Sequence, residues 1–215
     1  MKITIVGGHG SIAMLLTPIL KENGHEVRGI IRKEEQAEDL CEIGAEPVVC
    51  DVEEHDDISD AVGEADAVLF AAGAGPGSGA ARKWTVDRDG AIKLIRAAKK
   101  NGINRYVMIS AMGTKNPHGG EVFRTYLRAK EEADEALRSS GLDYTIIKPG
   151  RLTDEPGTGR VSLAPELERG EILREDVAAV LAEVLERPEL SGKQFDLVSG
   201  DQPVTEAVKE AVTSL

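Results

Sequence analysis

The chain has 215 residues, 41% of them hydrophobic and 30% charged, which is enough to bury one sizeable core. Its formal net charge of -12 speaks against nucleic-acid and anionic-membrane partners, because such a surface would repel both. Aromatic residues make up only 3%, leaving the core to Val, Ile, Leu and Ala, and the two cysteines, Cys41 and Cys50, can build neither a disulfide framework nor a four-ligand zinc site.

The first strand spans residues 2–6 and runs into Gly7-Gly8-His9-Gly10-Ser11-Ile12-Ala13, with a helical pattern at 11–23. A β-branched strand entering Gly-x-x-Gly-x-x-Ala and then a helix is the order that dinucleotide binding needs. Gly7 and Gly10 permit a tight turn and a close approach of backbone to phosphate, and Ala13 lets the helix pack against the strand. The helix N-terminus at Ser11 and Ile12 offers N–H groups and a partial positive charge to a pyrophosphate. His9 reads as an exposed loop residue, with a phosphate contact as the alternative.

A second strand, 26–31, ends at Arg32 and Lys33 without a carboxylate. An Asp or Glu there would accept from both ribose hydroxyls and favour NAD. Two cations suit a 2′-phosphate instead, so NADP is expected over NAD, although Glu34 and Glu35 follow directly. A helical pattern at 34–43 leads to strand 46–50, after which Asp51 and Val52 stand where an adenine would be met. Asp51 could accept from the adenine amino group or cap the next turn.

A short helical pattern at 56–62 precedes strand 66–72, whose continuous apolar run Ala67–Ala72 is that of a strand buried on both faces. Ala71, Ala72 and Gly73 leave room for a cofactor to lie flat against the backbone. A helix over 83–101 opens with Lys83 and Trp84 and contains Asp87.

Strand 104–110 ends on Ser110, and helix 121–140 contains Tyr126-Leu127-Arg128-Ala129-Lys130. Residues four apart share a helix face, so Lys130 is expected to lower the pKa of the Tyr126 phenol and make it a proton donor or acceptor near neutrality. Ser110 would hold a substrate carbonyl or hydroxyl. Strand 143–148 runs into Pro149-Gly150, and the stretch from Gly150 to Gly170 shows little regular pattern and reads as a long loop. A helix at 174–187, a strand at 194–199 and a final helix from Pro203 to about Thr213 complete the chain. His55 and His118 have no partners at metal-ligand spacing, so no metal is expected. Ser110 lacks the Gly-x-Ser-x-Gly frame of a hydrolase nucleophile.

This alternation predicts the α/β class: a doubly wound parallel sheet in a single domain, 1–215, with a short C-terminal extension. Ligands of such sheets bind beyond the carboxyl ends of the strands. No apolar run reaches a membrane span and no signal peptide is evident, so the expected compartment is the cytoplasm.

Taken together, Gly7, Gly10, Ala13, Asp51, Ala71-Ala72-Gly73, Ser110, Tyr126, Lys130 and the run from Leu142 to Gly150 resemble the short-chain dehydrogenase/reductase superfamily over nearly the whole chain. The nearest resemblance is to its atypical NAD(P)-binding members, the epimerase/dehydratase-like and NmrA-like proteins. It implies a Rossmann fold and NADP-dependent hydride transfer to or from a small carbonyl or hydroxyl compound, by a monomer or homodimer. It also implies that Lys130 holds the nicotinamide ribose and that Pro149-Gly150 passes the carboxamide. The chain departs from the family at Asp87, which aligns with an active-site Asn. An ionised carboxylate cannot donate a hydrogen bond, so the usual water-mediated proton relay is in doubt. That departure opens a second reading, a non-catalytic NADP(H)-binding redox sensor or regulatory protein. The larger C-terminal substrate domain of sugar-nucleotide epimerases has no counterpart here, which speaks against a nucleotide-sugar substrate.

Overall fold

Alternate residues of the apolar strand runs face opposite sides of one sheet, and each side is covered by helices. The computed structural model describes residues 1–75 and 77–213. In chain order its strands are β1 (Lys2–Val6), β2 (Glu26–Ile31), β3 (Glu46–Val49), β4 (Ala67–Phe70), β5 (Arg105–Ile109), β6 (Asp143–Pro149), β7 (Arg151–Thr153), β8 (Arg160–Ala164), β9 (Glu171–Leu173), β10 (Lys193–Ser199) and β11 (Gln202–Pro203). The α-helices are α1 (Ser11–Glu22), α2 (Ala37–Glu42), α3 (Ser59–Val62), α4 (Ala91–Lys100), α5 (Glu121–Arg138), α6 (Arg174–Leu185) and α7 (Val204–Thr213).

Among the described residues, nine strands form the main sheet in the order β3-β2-β1-β4-β5-β6-β10-β8-β11. From β3 to β10 neighbouring strands are parallel, while β8 runs antiparallel to β10 and to β11. The architecture is therefore the expected α/β one, with a mixed rather than wholly parallel sheet.

Period-2 side-chain alternation divides the core. Ile3, Ile5, Leu69, Val107 and Ile147 meet Leu16 and Leu20 of α1 and the apolar face of α6. Val6, Phe70, Tyr106, Met108 and Ile146 face the other way, onto Leu94 and Ala98 of α4 and Ala133 and Leu137 of α5.

Five expected elements change shape. The 150–170 segment is not one loop: β7 pairs with β9 in a small parallel sheet, and β8 joins the main sheet. Three-residue strands such as β7 are too short to show periodicity, and the alternation of β8 lies between Gly159 and Pro165. The helical pattern at 34–43 starts as a 3₁₀ turn, Glu34–Gln36, and that at 56–62 contracts to α3. The helix at 83–101 opens with π-helical winding over Lys83–Gly90 before α4 takes over. The strand at 66–72 stops at Phe70, with Ala71 still donating its N–H to the Val6 carbonyl at 2.9 Å before the chain turns away.

Gly150 has a packing reason of its own: a Cβ there would collide with the Gly170 carbonyl where the chain crosses from β6 into β7. Gly150→Ala should lower stability by about 1–3 kcal/mol in urea unfolding, the usual cost of overpacking. An unchanged midpoint would mean that this crossing does not depend on glycine.

Candidate functional site

The carboxyl ends of β1, β2, β3 and β4 open onto a cleft of about 260 Å³. It is lined by Gly7, Gly10, Arg32, Asp51, Val52, Ala71, Ala72 and Gly73, which places eight of the expected cofactor residues around one space. Gly7 has φ +87°, and a Cβ there would lie 2.6 Å from the Ala72 backbone. Both the backbone angle and the close approach therefore require glycine. Gly10 caps α1 without a side-chain hydrogen bond, so the N–H groups of Ser11 and Ile12 open the helix towards the cleft end of β1.

His9 also lines the cleft. Its Nε2 lies 2.6 Å from Asp39 Oδ2, and Gln36 Nε2 reaches its Nδ1 at 3.1 Å. These contacts tie the glycine turn to α2.

The two cations at the end of β2 part company. The Arg32 side chain lines the cleft and makes no hydrogen bond or ion pair among the described residues. Lys33 does not line it; its Nζ donates to Glu35 at 2.9 Å. A Lys33–Glu35 pair two residues apart is satisfied locally, so the cleft-facing cation expected from the Arg32-Lys33 pair is Arg32 alone. Two further cleft residues were not anticipated. Arg82 donates through Nε to Glu53 Oε2 at 3.0 Å, and that bond holds the Glu53 carboxyl below its ordinary pKa.

The chemical end is built on one face of α5. Tyr126, Lys130 and Asp134, four residues apart, stack along it. Lys130 is buried, with Nζ 3.1 Å from the Ile109 carbonyl and 3.4 Å from Asp87 Oδ1. Asp87, fully buried in the π-helical segment, also accepts from the Ala74 N–H at 3.2 Å. The carboxylate thus holds the loop after β4 and neutralises Lys130. It does not hold the backbone of α5.

Ser110 Oγ donates to Asp134 Oδ2 at 2.8 Å, and Lys148 Nζ lies 3.3 Å from the same oxygen. All three are buried. Burial raises the Asp134 pKa, with Lys148 and Ser110 opposing the rise. Pro149, at the end of β6, accepts from the Met112 N–H at 3.1 Å and does not line the cleft.

The Tyr126 hydroxyl makes no hydrogen bond among the described residues, and its ring stacks against Phe123 at 5.9 Å. Burial, reinforced by the negative charges of Asp87 and Asp134, pushes its pKa above the usual tyrosine range. This runs against the expected lowering by Lys130, whose charge is directed to Asp87. Lys83 was not anticipated at this site: its Nζ sits 5.7 Å from the Tyr126 ring centroid.

The signals for the missed residues were faint. Asp134 extends the Tyr126–Lys130 spacing by one more turn, and Lys148 is a charge inside an apolar strand run. Arg82, Glu53 and Lys83 carry no spacing that separates them from surface charges. Among the described residues no group of three His, Cys, Asp or Glu side chains could hold a metal ion, and no helix is long and apolar enough to cross a membrane.

The profile of a family described as NAD(P)H-binding matches residues 7–188. A Bacillus subtilis protein named as an uncharacterized sugar epimerase, YhfK, is 42% identical over 213 residues, covering 98% of this chain and 100% of that protein. A putative NAD-dependent epimerase/dehydratase from Bacillus halodurans superposes with a TM-score of 0.93 at 42% identity, covering 98% of this chain and 99% of its own. The oxidoreductase ylbE from Lactococcus lactis superposes with a TM-score of 0.86 at 28% identity, covering 99% and 97%.

The raised phenols predict an alkaline signature. Tyr126, and Tyr106 in the core, should stay protonated as pH passes the ordinary tyrosine value of 10.0 in a spectrophotometric titration. A phenol whose pKa is raised by folding contributes stability that is fully present below its unfolded pKa and is lost as pH rises through the folded one. Tyr126→Phe should therefore flatten the fall in stability above that pH. Ionisation of Tyr126 at the ordinary value would contradict the burial argument.

Proposed function

The chain belongs to the NAD(P)H-binding family, and from that premise we propose that it is an NADP-dependent oxidoreductase of the atypical short-chain dehydrogenase/reductase kind, acting on a small carbonyl or hydroxyl compound. The observation that carries the reading is the cleft at the strand ends. Gly7 and Gly10 let the turn after β1 pack directly against the Ala71 and Ala72 backbone, Ala71, Ala72 and Gly73 line the cleft with little side chain, and the α1 N-terminus adds N–H donors. These features fit a dinucleotide. Arg32, unpaired on the cleft wall with no carboxylate ending β2, supports NADP over NAD through bidentate contact with a 2′-phosphate. Asp51 and Val52 would flank the adenine. When bound, the nicotinamide supplies or takes up the hydride.

The protein's own groups would handle the proton. Tyr126 has a phenol kept neutral by burial and by two carboxylates, so it arrives loaded with the proton that a carbonyl oxygen needs on reduction. The same environment makes a phenolate hard to form, so the residue rests as the acid that a reduction step uses. Ser110 has its one hydroxyl proton committed to Asp134, which leaves only lone pairs for a substrate or for the Tyr126 hydroxyl. Lys130 is held by Asp87 and the Ile109 carbonyl in a fixed position beside the Tyr126 ring, at 6.0 Å from its centroid. The unpaired cysteines, Cys41 and Cys50, support a reducing cytoplasmic setting.

One observation favours a second reading. The Lys130–Asp87 pair replaces the family's Asn and removes the usual relay, as a redox sensor that binds NADP(H) without turnover would allow. Kinetics separates the two. The enzyme should oxidise NADPH with some aldehyde, ketone or quinone, and Tyr126→Phe should reduce turnover at least about a hundredfold, the usual contribution of a general acid. A sensor would show no turnover and unequal affinities for NADP⁺ and NADPH.

Cofactor choice has its own measurement. Arg32→Ala should weaken NADPH binding by about tenfold or more, one or two charge-assisted hydrogen bonds, and leave NADH binding nearly unchanged. Equal losses for both cofactors would remove Arg32 from the 2′-phosphate role.

A further inference from the structure

Three lysines are buried at the chemical end: Lys83 is 7% exposed, Lys130 3% and Lys148 5%. Two of them have a buried carboxylate beside them, Asp87 at 3.4 Å from Lys130 and Asp134 at 3.3 Å from Lys148. The third does not. Lys83 Nζ donates to the Gly75 carbonyl at 2.7 Å, and no carboxylate lies within ion-pairing distance of it among the described residues. An ammonium has three donors, so two N–H groups of Lys83 are left without an acceptor. A buried cation without a counter-charge is costly, and the same site shows twice how the fold meets that cost.

We propose that Lys83 anchors a carboxylate of the substrate, beside the Tyr126 phenol that faces the substrate's reacting oxygen. This deepens the oxidoreductase reading, on which it rests, by naming the substrate class as a small carbonyl acid. Position sets this anchor at the edge of the dinucleotide cleft. Lys83 does not line the cleft, although its acceptor Gly75 and its neighbour Arg82 do, and its ammonium stands over the Tyr126 ring. Charge balance selects the ligand. One ammonium is neutralised by one carboxylate, whereas a dianionic phosphate would leave net negative charge in a buried place next to Asp87.

The surrounding charges give the anchor a pH sensitivity. Burial lowers the Lys83 pKa; Asp87 on the same segment opposes this, while Lys130 from α5 and the neighbouring Arg82 add to it. Tyr126, the other titratable group facing it, stays neutral for the reasons given above. Lys83 is charged below its own pKa, so carboxylate binding should be strongest at lower pH and fade as pH rises through a value below that of an ordinary lysine.

Calorimetric titration of the protein saturated with NADP⁺ tests this, using benzoylformate and its methyl ester as probes. The acid should bind at least tenfold tighter than the ester. Lys83→Met should abolish that difference while leaving NADP⁺ affinity within twofold, and Lys83→Arg should retain part of it. Equal binding of acid and ester, or no binding of either, would overturn the proposal. So would a Lys83→Met variant that loses NADP⁺ affinity while keeping the acid–ester difference, since the charge would then belong to the coenzyme. Should Lys83→Met fail to fold, the acid–ester comparison and its decline with pH on the unaltered chain decide the matter. Failure of NADP⁺ to bind the unaltered protein would sink the coenzyme reading instead, and the same probe comparison without coenzyme would still decide the role of Lys83.

Discussion

Placing Tyr126, Lys130 and Asp134 on the inward face of α5 brings charged groups against the ends of β5 and β6, where each must be matched. The fold answers with two buried ion pairs. Lys130 meets Asp87 from the π-helical segment, and Asp134 meets Lys148 from β6. Removing one partner of such a pair leaves an uncompensated buried charge, which typically costs about 3–5 kcal/mol. The pairs therefore fix α5 against two other elements at the height of Tyr126. The π-helical winding belongs to the same constraint: among the described residues it spans Lys83–Gly90, the segment that carries both Asp87 and Lys83 into the site.

Charge is distributed unevenly for a reason that follows. The chain is strongly acidic overall, yet Arg32 and Arg82 line the dinucleotide cleft and three lysines crowd the chemical end. Most of these cations are matched by carboxylates, so only Arg32 and Lys83, which have no carboxylate within ion-pairing distance among the described residues, are left to attract anionic ligands, while the acidic exterior discourages attachment to the polyanions of a cell. Glu53 moderates this at the cleft. Bound to Arg82, it leaves Arg32 as the free cation on that wall among the described residues.

The glycine turn, the parallel strands and the Tyr126–Lys130 spacing were legible in the sequence because each depends on local order: a strand, a turn, a helix face. Gly7, Asp51 and Ala72 meet around one cleft because every β-strand of a parallel sheet delivers its following loop to the same edge. What stayed hidden depends on contacts between distant residues. Nothing near Lys33 separates it from Arg32, and only the local ion pair with Glu35 takes it out of the cleft. The Asp87 substitution was visible, but its consequence was not, because its partners Ala74 and Lys130 lie far away in sequence. The same holds for Asp134, which reads as one more helix-surface acid until β6 brings Lys148 to it. The strands β7, β8 and β9 escaped notice because short edge elements are stabilised by pairing rather than by their own periodicity.

The neutral phenol and the committed serine together set the resting protonation of the site. A tyrosine beside an unopposed lysine would have a lowered pKa and could serve equally as acid or base. Here the lysine beneath it is balanced by Asp87, and a second carboxylate, Asp134, adds to the negative field around the ring. Loss of the phenolic proton is therefore disfavoured until an acceptor with developing negative charge is placed against it. In the proposed reduction, a carbonyl oxygen gaining electron density would be such an acceptor. Ser110 adds to this: with its proton held by Asp134 it has only lone pairs left to offer. The buried pairs that hold α5 in place thus also set the protonation state in which its tyrosine rests.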